Sequence, residues 1–378
     1  MLRFESTVME TISGATNEKS HFLALADGTV FYGRSCAAPV DALGEAVFNT
    51  GMTGYEEIIS DPSYYGQFVT LSTSEVGNYG CCADDMESRS LFLSGLLVRE
   101  MNEPSNGRST ESLPNLLERF KRPALTKIDT RALVLHLREH GTQKAYLHAS
   151  NEPLSAAEAV RRAAAWSGLD GVDSAAAVAC DKPFRWSDTG TRSVTVIDYG
   201  VKYNILRSLA ESGFIVDVVP ASMSAEAILA TRTDGVLLSN GPGDPAAVTG
   251  AVETVRKLIG RVPLMGICLG HQIFSLACGA KCGRLKFGHH GCNHPVRDLR
   301  DDTISITSQN HNFAVIPETL PSCLELTHIN LNDGTVEGVR HKSEPAFCVQ
   351  FHPEAAPGPH DARNLFAHFQ TLMEGGGN

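Results

Sequence analysis

The chain of 378 residues has no run of lysine and arginine: 32 basic residues face 43 acidic ones, for a formal net charge of −11. Binding a phosphate backbone takes a basic face, so nucleic acid is not expected as a partner. No apolar stretch approaches the roughly 20 residues of a membrane span. The first twenty residues mix Glu5, Glu10 and Glu18 with Ser and Thr and lack the apolar centre of a secretory signal. A cytoplasmic location is the expectation, with no membrane partner. The phosphate-cradling pattern G-x4-G-K-[ST] is missing, as are internal repeats and low-complexity segments. Ten cysteines are present, but their irregular spacing in a large chain predicts reduced thiols and not a disulfide framework.

What is there is the composition of a globular protein, 42% hydrophobic and 20% charged, in a chain too long for one ordinary core. Two domains are expected. From His21 to about Ser150 short apolar runs dominate. Phe22–Leu25 turns at Asp27-Gly28 into Thr29–Tyr32, a hairpin signal, and Val47–Thr50, Phe68–Leu71 and Leu96–Val98 add strands. Leu113–Phe120 and Thr130–His140 have helical spacing. Residues 21–150 thus predict a strand-rich α+β domain behind a loose tail at 1–20. Over 151–191 the alanine-rich run Ala156–Ala165, with Ser155 and Glu158 spaced as a capping box, predicts a helix. The Gly, Asp and Ser residues and Pro183 that follow read as a linker.

After Arg192 strands and helices alternate. Val194–Asp198, Phe214–Val219, Gly235–Ser239 and Val262–Ile267 read as strands, with Lys202–Ser212, Ser224–Ala230, Val252–Ile259 and Gly270–Cys278 as helices between and after them. This rhythm predicts βαβ units and an open, mostly parallel α/β domain over 192–378. Past Lys286 the chain turns strand-rich and ends that run with Ala346–Phe351. Ligands of such sheets sit at the carboxyl ends of the strands, where Cys268 and His352 both fall.

Cys268 lies in Gly266-Ile267-Cys268-Leu269-Gly270, the cysteine form of the strand–nucleophile–helix elbow. A thiol at a helix N-terminus meets the positive end of the macrodipole, which favours the thiolate. The segment His352-Pro353-Glu354, 84 residues later, supplies a base and a carboxylate to orient it. Ser239-Asn240-Gly241-Pro242-Gly243-Asp244 is a stiff loop at another strand end, whose backbone N–H groups can approach a ligand closely. One of them, with that of Leu269, would form an oxyanion hole. Each part alone has an ordinary reading: a buried thiol, a turn, a solvated loop. Together, in this order and at strand ends, they indicate a Cys–His–Glu triad.

These residues, with His271 and Gln272, resemble the class I (triad) glutamine amidotransferases. Phe48-Asn49-Thr50-Gly51-Met52-Thr53-Gly54-Tyr55, Asp61-Pro62-Ser63-Tyr64, Gly77-Asn78-Tyr79-Gly80 and Lys127-Ile128-Asp129-Thr130-Arg131 are similar to the small, glutaminase subunit of carbamoyl-phosphate synthase. So are Lys286-Phe287-Gly288-His289-His290-Gly291, Gln309-Asn310-His311 and Pro357-Gly358-Pro359-His360-Asp361. The resemblance implies Cys268 as nucleophile, with His352 and Glu354 completing the triad, and backbone groups of Gly241 and Leu269 at the oxyanion. It places Gly243, Gln272, Asn310 and Phe313 around the amino-acid end of glutamine. Two positions depart from the family: Gly51 stands where a Ser hydroxyl often touches glutamine, and Asn312 replaces a common Gly. The resemblance also implies a large subunit that binds ATP and Mg and receives ammonia, with the N-terminal domain as its docking surface. No cofactor is expected in this chain.

Cys278-x3-Cys282 followed by His289, His290, Cys292 and His294 has a metal-binding composition, but Cys278 falls inside a predicted helix. No metal is expected there. Two other readings of the whole chain are a glutaminase feeding a different synthase, such as one for anthranilate or GMP, and a non-catalytic scaffold. The N-terminal motifs disfavour the first and the intact triad the second.

Overall fold

A computed structural model describes residues 20–375. Apart from Ser20, the tail expected at 1–20 lies outside them. The first body is built from strands β1 (His21–Leu25), β2 (Val30–Ser35), β3 (Ala42–Asn49), β4 (Gln67–Leu71), β5 (Glu75–Val76), β6 (Gly95–Leu97), β7 (Glu100–Met101), β8 (Ala124–Thr126) and β9 (Gln143–His148). Helices α1 (Tyr55–Ser60), α2 (Leu113–Arg119) and α3 (Thr130–His140) interrupt them. The expected hairpin forms, with Ala24 opposite Val30, and the Thr29 N–H donates to Asp27 Oδ1 at 2.9 Å in its turn.

What alternation could not show is closure. Strands β1-β2-β8-β6-β4-β3-β9 form a barrel in which β9 pairs back to β1, so those seven strands leave no edge. Leu23, Phe48, Phe68, Leu97, Leu125 and Leu147 pack together in one of its cores. The 151–191 stretch divides between the two bodies. Helix α4 (Ala156–Ala165) lays Ala159 and Ala163 on Phe22, Ala24 and Tyr146 of the barrel. Its Ser155 hydroxyl accepts the Glu158 N–H at 3.2 Å, one half of the capping box, while the Glu158 carboxylate pairs with Arg161 and Arg162 instead of closing the other half. A short helix, α5 (Ala175–Val178), follows, and then β10 (Phe184–Ser187) joins the second body as an edge strand.

That body is a ten-stranded sheet. Its parallel centre is β12 (Phe214–Pro220), β11 (Arg192–Asp198), β13 (Gly235–Leu238), β14 (Leu264–Ile267) and β19 (Ala346–Val349). Strands β18 (Val336–His341), β17 (Leu324–Asn330), β15 (Cys282–Asp298) and β16 (Ile304–Val315) extend it antiparallel. The α/β class is as expected, and the antiparallel wing is the strand-rich tail joined to the same sheet. Helices α7 (Ala225–Ala230), α8 (Ala251–Leu258) and α9 (Leu269–Cys278) cover one face through Ile228, Val255, Leu258, Ile273 and Phe274. Helices α6 (Tyr203–Glu211) and α10 (Asn364–Met373) cover the other through Leu206, Leu209, Phe366 and Phe369. Two covered faces explain why the central strands read as unbroken apolar runs.

Phe369 is fully buried, with ring centroids of Phe214 and Phe347 at 6.2 and 6.4 Å. Phe369→Ala should destabilise this α/β body by about 3–5 kcal/mol in urea unfolding, and a loss below about 1 kcal/mol would show that α10 is not part of the core.

Candidate active site

The elbow is made by close approach. Strand β14 ends at Ile267, and Cys268 takes φ 54 and ψ −106, a conformation that non-glycine residues avoid, before α9 begins. A Cβ at Gly270 would overlap the Leu238 carbonyl of β13, so glycine is what lets the helix start against the sheet. The thiol is 1% exposed and lies 3.6 Å from the Asn310 carbonyl oxygen. It opens on a cavity whose lining includes Gly241, Gly243, Gln272, Asn310, Asn312 and Phe313.

His352 follows β19, pinned by its N–H to the Ser308 carbonyl at 2.9 Å. Its Nδ1–H donates to Glu354 Oε1 at 2.7 Å. Nε2 makes no well-aligned hydrogen bond, yet the Cys268 sulfur is near enough to act on the charge of the ring. Burial alone would lower the His352 pKa. The Glu354 carboxylate and then the Cys268 sulfur outweigh burial and push it up to about 10. Glu354 is fully buried, which would raise its pKa, but Lys202 and then His352 bring it down to about 2.

Lys202 was not visible as a site residue in the sequence. It precedes α6, and its Nζ donates to Glu354 Oε1 at 3.0 Å and to the Ala355 carbonyl. Its burial is nearly complete. Desolvation opposes the charge, but Glu354, Glu87 and Asp61 outweigh it and raise the pKa. One signal was available: a lysine just before a helix sits at the positive end of the macrodipole, where a cation is disfavoured unless something else holds it.

Two of those carboxylates come from the barrel body. Glu87, 1% exposed, accepts from Arg207 at 2.9 Å and from the Asn204 N–H at 2.9 Å, both on α6. Asp61 accepts from Asn310 Nδ2 at 2.8 Å, and Ser63 Oγ accepts from Asn240 Nδ2 at 2.9 Å. Asn240, the residue before Gly241, in turn accepts the Lys202 N–H at 3.0 Å. The barrel therefore braces three segments of the site at once.

The same contacts orient Asn312. Because Asn310 Nδ2 faces Asp61, its carbonyl oxygen faces His290 Nδ1 at 3.0 Å, and that nitrogen carries the proton. Burial lowers the His290 pKa to about 4, so the ring is neutral and Nε2 is an acceptor. Asn312 Oδ1 lies 3.0 Å from this Nε2, acceptor to acceptor, and a turn of the amide that presents its NH2 instead would free the carbonyl oxygen for the cavity that Asn312 lines. Asn312 is in β16 and outside the left-handed region, so a side chain here is unstrained. Gly51 is not on the cavity lining, and its N–H donates to Asn49 Oδ1 at 2.6 Å. Gln272 spends its amide hydrogens on the Phe313 carbonyl at 2.7 Å and Gln350 Oε1 at 2.9 Å. Gly241 N–H meets no acceptor among the described residues, and Leu269, as the first residue of α9, has no helical one.

Also on the lining, and unforeseen, are Glu45, Ser63, Asp170 and Arg284. Arg284 pairs with Glu45 at 2.6 Å and with Asp170, so its charge is already engaged. The Cys/His-rich stretch from 278 to 294 is dispersed. Cys282 leans on the Gln272 carbonyl at 3.9 Å, Cys292 on that of Pro357 at 3.5 Å, and His289 pairs with Asp333 at 2.8 Å. All ten cysteines are free thiols.

A thiol at an elbow, an imidazole with a raised pKa and a buried orienting carboxylate define an acyl-transfer site of amidotransferase type. Residues 195–372 match the family "Glutamine amidotransferase class-I", and residues 23–147 match "Carbamoyl-phosphate synthase small chain, CPSase domain". The chain is 48% identical over 359 residues to the carbamoyl phosphate synthase small chain of Akkermansia muciniphila, covering 93% of this chain and 96% of that one. It is 46% identical over 368 residues to that of Solidesulfovibrio magneticus (93% and 97% covered) and 48% over 357 residues to that of Chlorobaculum tepidum (93% and 97% covered). The chain belongs to the carbamoyl-phosphate synthase small chain family. Membership makes it a glutamine-hydrolysing enzyme.

The raised pKa of His352 predicts a pH dependence. Its proton is held through neutral pH and lost as pH rises toward about 10, so glutamine hydrolysis should fall on that alkaline limb as the general acid disappears. Glu354→Gln removes the main influence raising that pKa, and the limb should move to lower pH along with a reduced kcat. A pH–rate profile with the limb unmoved would refute this assignment.

Proposed function

We propose that Cys268, His352 and Glu354 hydrolyse the side-chain amide of glutamine, and that the ammonia passes to a large subunit for ATP-dependent synthesis of carbamoyl phosphate. The observation that carries this reading is the buried line Lys202–Glu354–His352 ending at the Cys268 sulfur. The sulfur attacks the carboxamide carbon, and the carbonyl π electrons move to oxygen. N–H groups of Leu269 and Gly241 hold this oxyanion, a contribution typically worth about 3–4 kcal/mol per donor. His352 gives its proton to the leaving nitrogen as the C–N bond breaks, releasing ammonia and a γ-glutamyl thioester. The neutral imidazole then takes a proton from water, whose oxygen displaces the sulfur to give glutamate. Glu354 stays ionised and keeps Nδ1 protonated, and Lys202 holds Glu354 ionised.

The amino-acid end of the substrate lies against Gly243, Gln272, Asn310, Asn312 and Phe313. The α-ammonium needs acceptors, which Gln272 Oε1 and the Asn312 carbonyl supply. Asn312 thereby compensates for the hydroxyl that Gly51 lacks. The barrel, residues 21–150, is the docking body, 151–191 the connection, and 192–378 the amidotransferase domain. ATP, Mg and bicarbonate belong to the large subunit, because this chain has no phosphate-cradling loop. The complex works in the cytoplasm and serves arginine and pyrimidine supply.

Cys268→Ser, assembled with the large subunit, should abolish carbamoyl phosphate synthesis from glutamine and leave synthesis from free ammonia intact; loss of both would sink the reading. Asn312→Gly should raise the KM for glutamine roughly 2- to 13-fold with kcat little changed, the value of one hydrogen bond of about 0.5–1.5 kcal/mol. An unchanged KM would remove Asn312 from the substrate contacts.

A further inference from the structure

The residues that end the nucleophile helix have company the sequence does not disclose. Cys278 is the last residue of α9, Cys323 directly precedes β17, and His341 ends β18. Antiparallel pairing brings the last two together: Leu324 lies opposite His341, and the Lys342 N–H donates to the Cys323 carbonyl at 2.9 Å. The α9 C-terminus packs onto this corner, so that the two sulfurs and a ring nitrogen of His341 all lie within 4.8 Å of one another, half-buried. Neither thiol bonds to any group but the other among the described residues, and no step of glutamine hydrolysis uses any of the three.

A second group with the same proximity, His289, His311 and Glu337, has no capacity left. Both His311 nitrogens are engaged, at 2.7 Å by the Phe313 carbonyl and 3.0 Å by Gln309 Oε1. Both Glu337 oxygens accept amide hydrogens, from Asn330 and Gln309, at 2.9 Å. At the Cys278 corner both thiols are open, and only His341 is engaged, its Nδ1 accepting the N–H groups of Ser343 and Glu344 at 3.3 and 3.0 Å.

We propose that Cys278, Cys323 and His341 bind one thiophilic divalent cation of the zinc class, in a Cys2His site completed by water. Thiolate and imidazole are the ligands such ions select, and spacings of this size close to tetrahedral contacts with small side-chain rotations. The place suits a cation, because the carboxyl end of a helix is the negative end of its dipole. Arg256 already uses that end, donating to the Ala277 carbonyl at 3.4 Å. Each thiol that becomes a thiolate ligand gives its S–H proton to solvent as the cation binds, which makes affinity rise with pH. His341 is the weakest ligand, since its Nδ1 accepts the Glu344 N–H at 3.0 Å and metal ligation disturbs that bond. The site would tie the far end of the Cys268 helix to the antiparallel wing of the sheet.

The test is a cobalt titration of the full chain, stripped of metal by chelator and kept reduced with a phosphine. One equivalent of Co²⁺ should give tetrahedral d–d bands and thiolate-to-cobalt charge-transfer absorption, displaced by Zn²⁺, with binding tightening as pH rises. Cys278→Ser and Cys323→Ser should each abolish the spectrum, His341→Ala should weaken binding, and Cys282→Ser and Cys268→Ser should leave it intact. Because Cys323 is in a loop, its variant reports even if Cys278→Ser fails to fold. Absence of a stoichiometric site in the wild-type chain overturns the proposal. So does a spectrum that survives Cys323→Ser or vanishes with Cys268→Ser.

Discussion

The active site depends on a buried alternation of charge. Lys202, Glu354 and His352 follow one another at 3.0 and 2.7 Å, and the series ends beside the Cys268 sulfur. Taking any one of these ions out of water costs several kcal/mol, and none would stay charged alone. In sequence each makes the next affordable: the lysine keeps the carboxylate ionised, the carboxylate keeps the imidazole protonated, and the protonated ring faces the sulfur. The strained backbone at Cys268 places the sulfur at the end of that series. Without the lysine, Glu354 would be a buried anion with Oε2 still unsatisfied and only a titrating histidine beside it.

The barrel body takes part in this arrangement. Glu87 and Asp61 both act on Lys202, and Asp61 and Ser63 hold Asn310 and Asn240, the residues that flank the nucleophile and the oxyanion loop. Burial raises the Glu87 pKa to about 7 even against Lys202, the Asn204 N–H and Arg207, which lower it. A displacement of the barrel would therefore be felt at the triad through hydrogen bonds and not only through packing. A two-body chain whose α/β body is braced by its neighbour gives the barrel a physical route to the candidate site.

Much of this was legible along the chain. The elbow glycines, the His-Pro-Glu segment and the Gly-Pro-Gly loop are local patterns, and each falls at a strand end that periodicity alone identifies. The α/β rhythm after Arg192 was legible for the same reason. Lys202 was not, because a lysine before a helix looks like a solvated cation until the fold buries it. Asp61 and Glu87 were hidden because their partners lie 249 and 120 positions away in sequence. The metal-like composition from Cys278 to His294 does not gather into one cluster, since Cys278 ends α9 while His289, His290, Cys292 and His294 lie along β15, where neighbours point to opposite faces.

The sequence by itself determined the elbow at Cys268, the His352-Pro353-Glu354 segment and the class of sheet that presents them. Those properties live in spacings of a few residues, where backbone geometry leaves little choice. Only the tertiary structure decided that the N-terminal strands close into a barrel, that this barrel braces the oxyanion loop, that Lys202 sustains the triad, and that Cys278 meets Cys323 and His341. Each is a pairing across a long loop of chain, set by which apolar faces are buried together, and no local pattern records that choice.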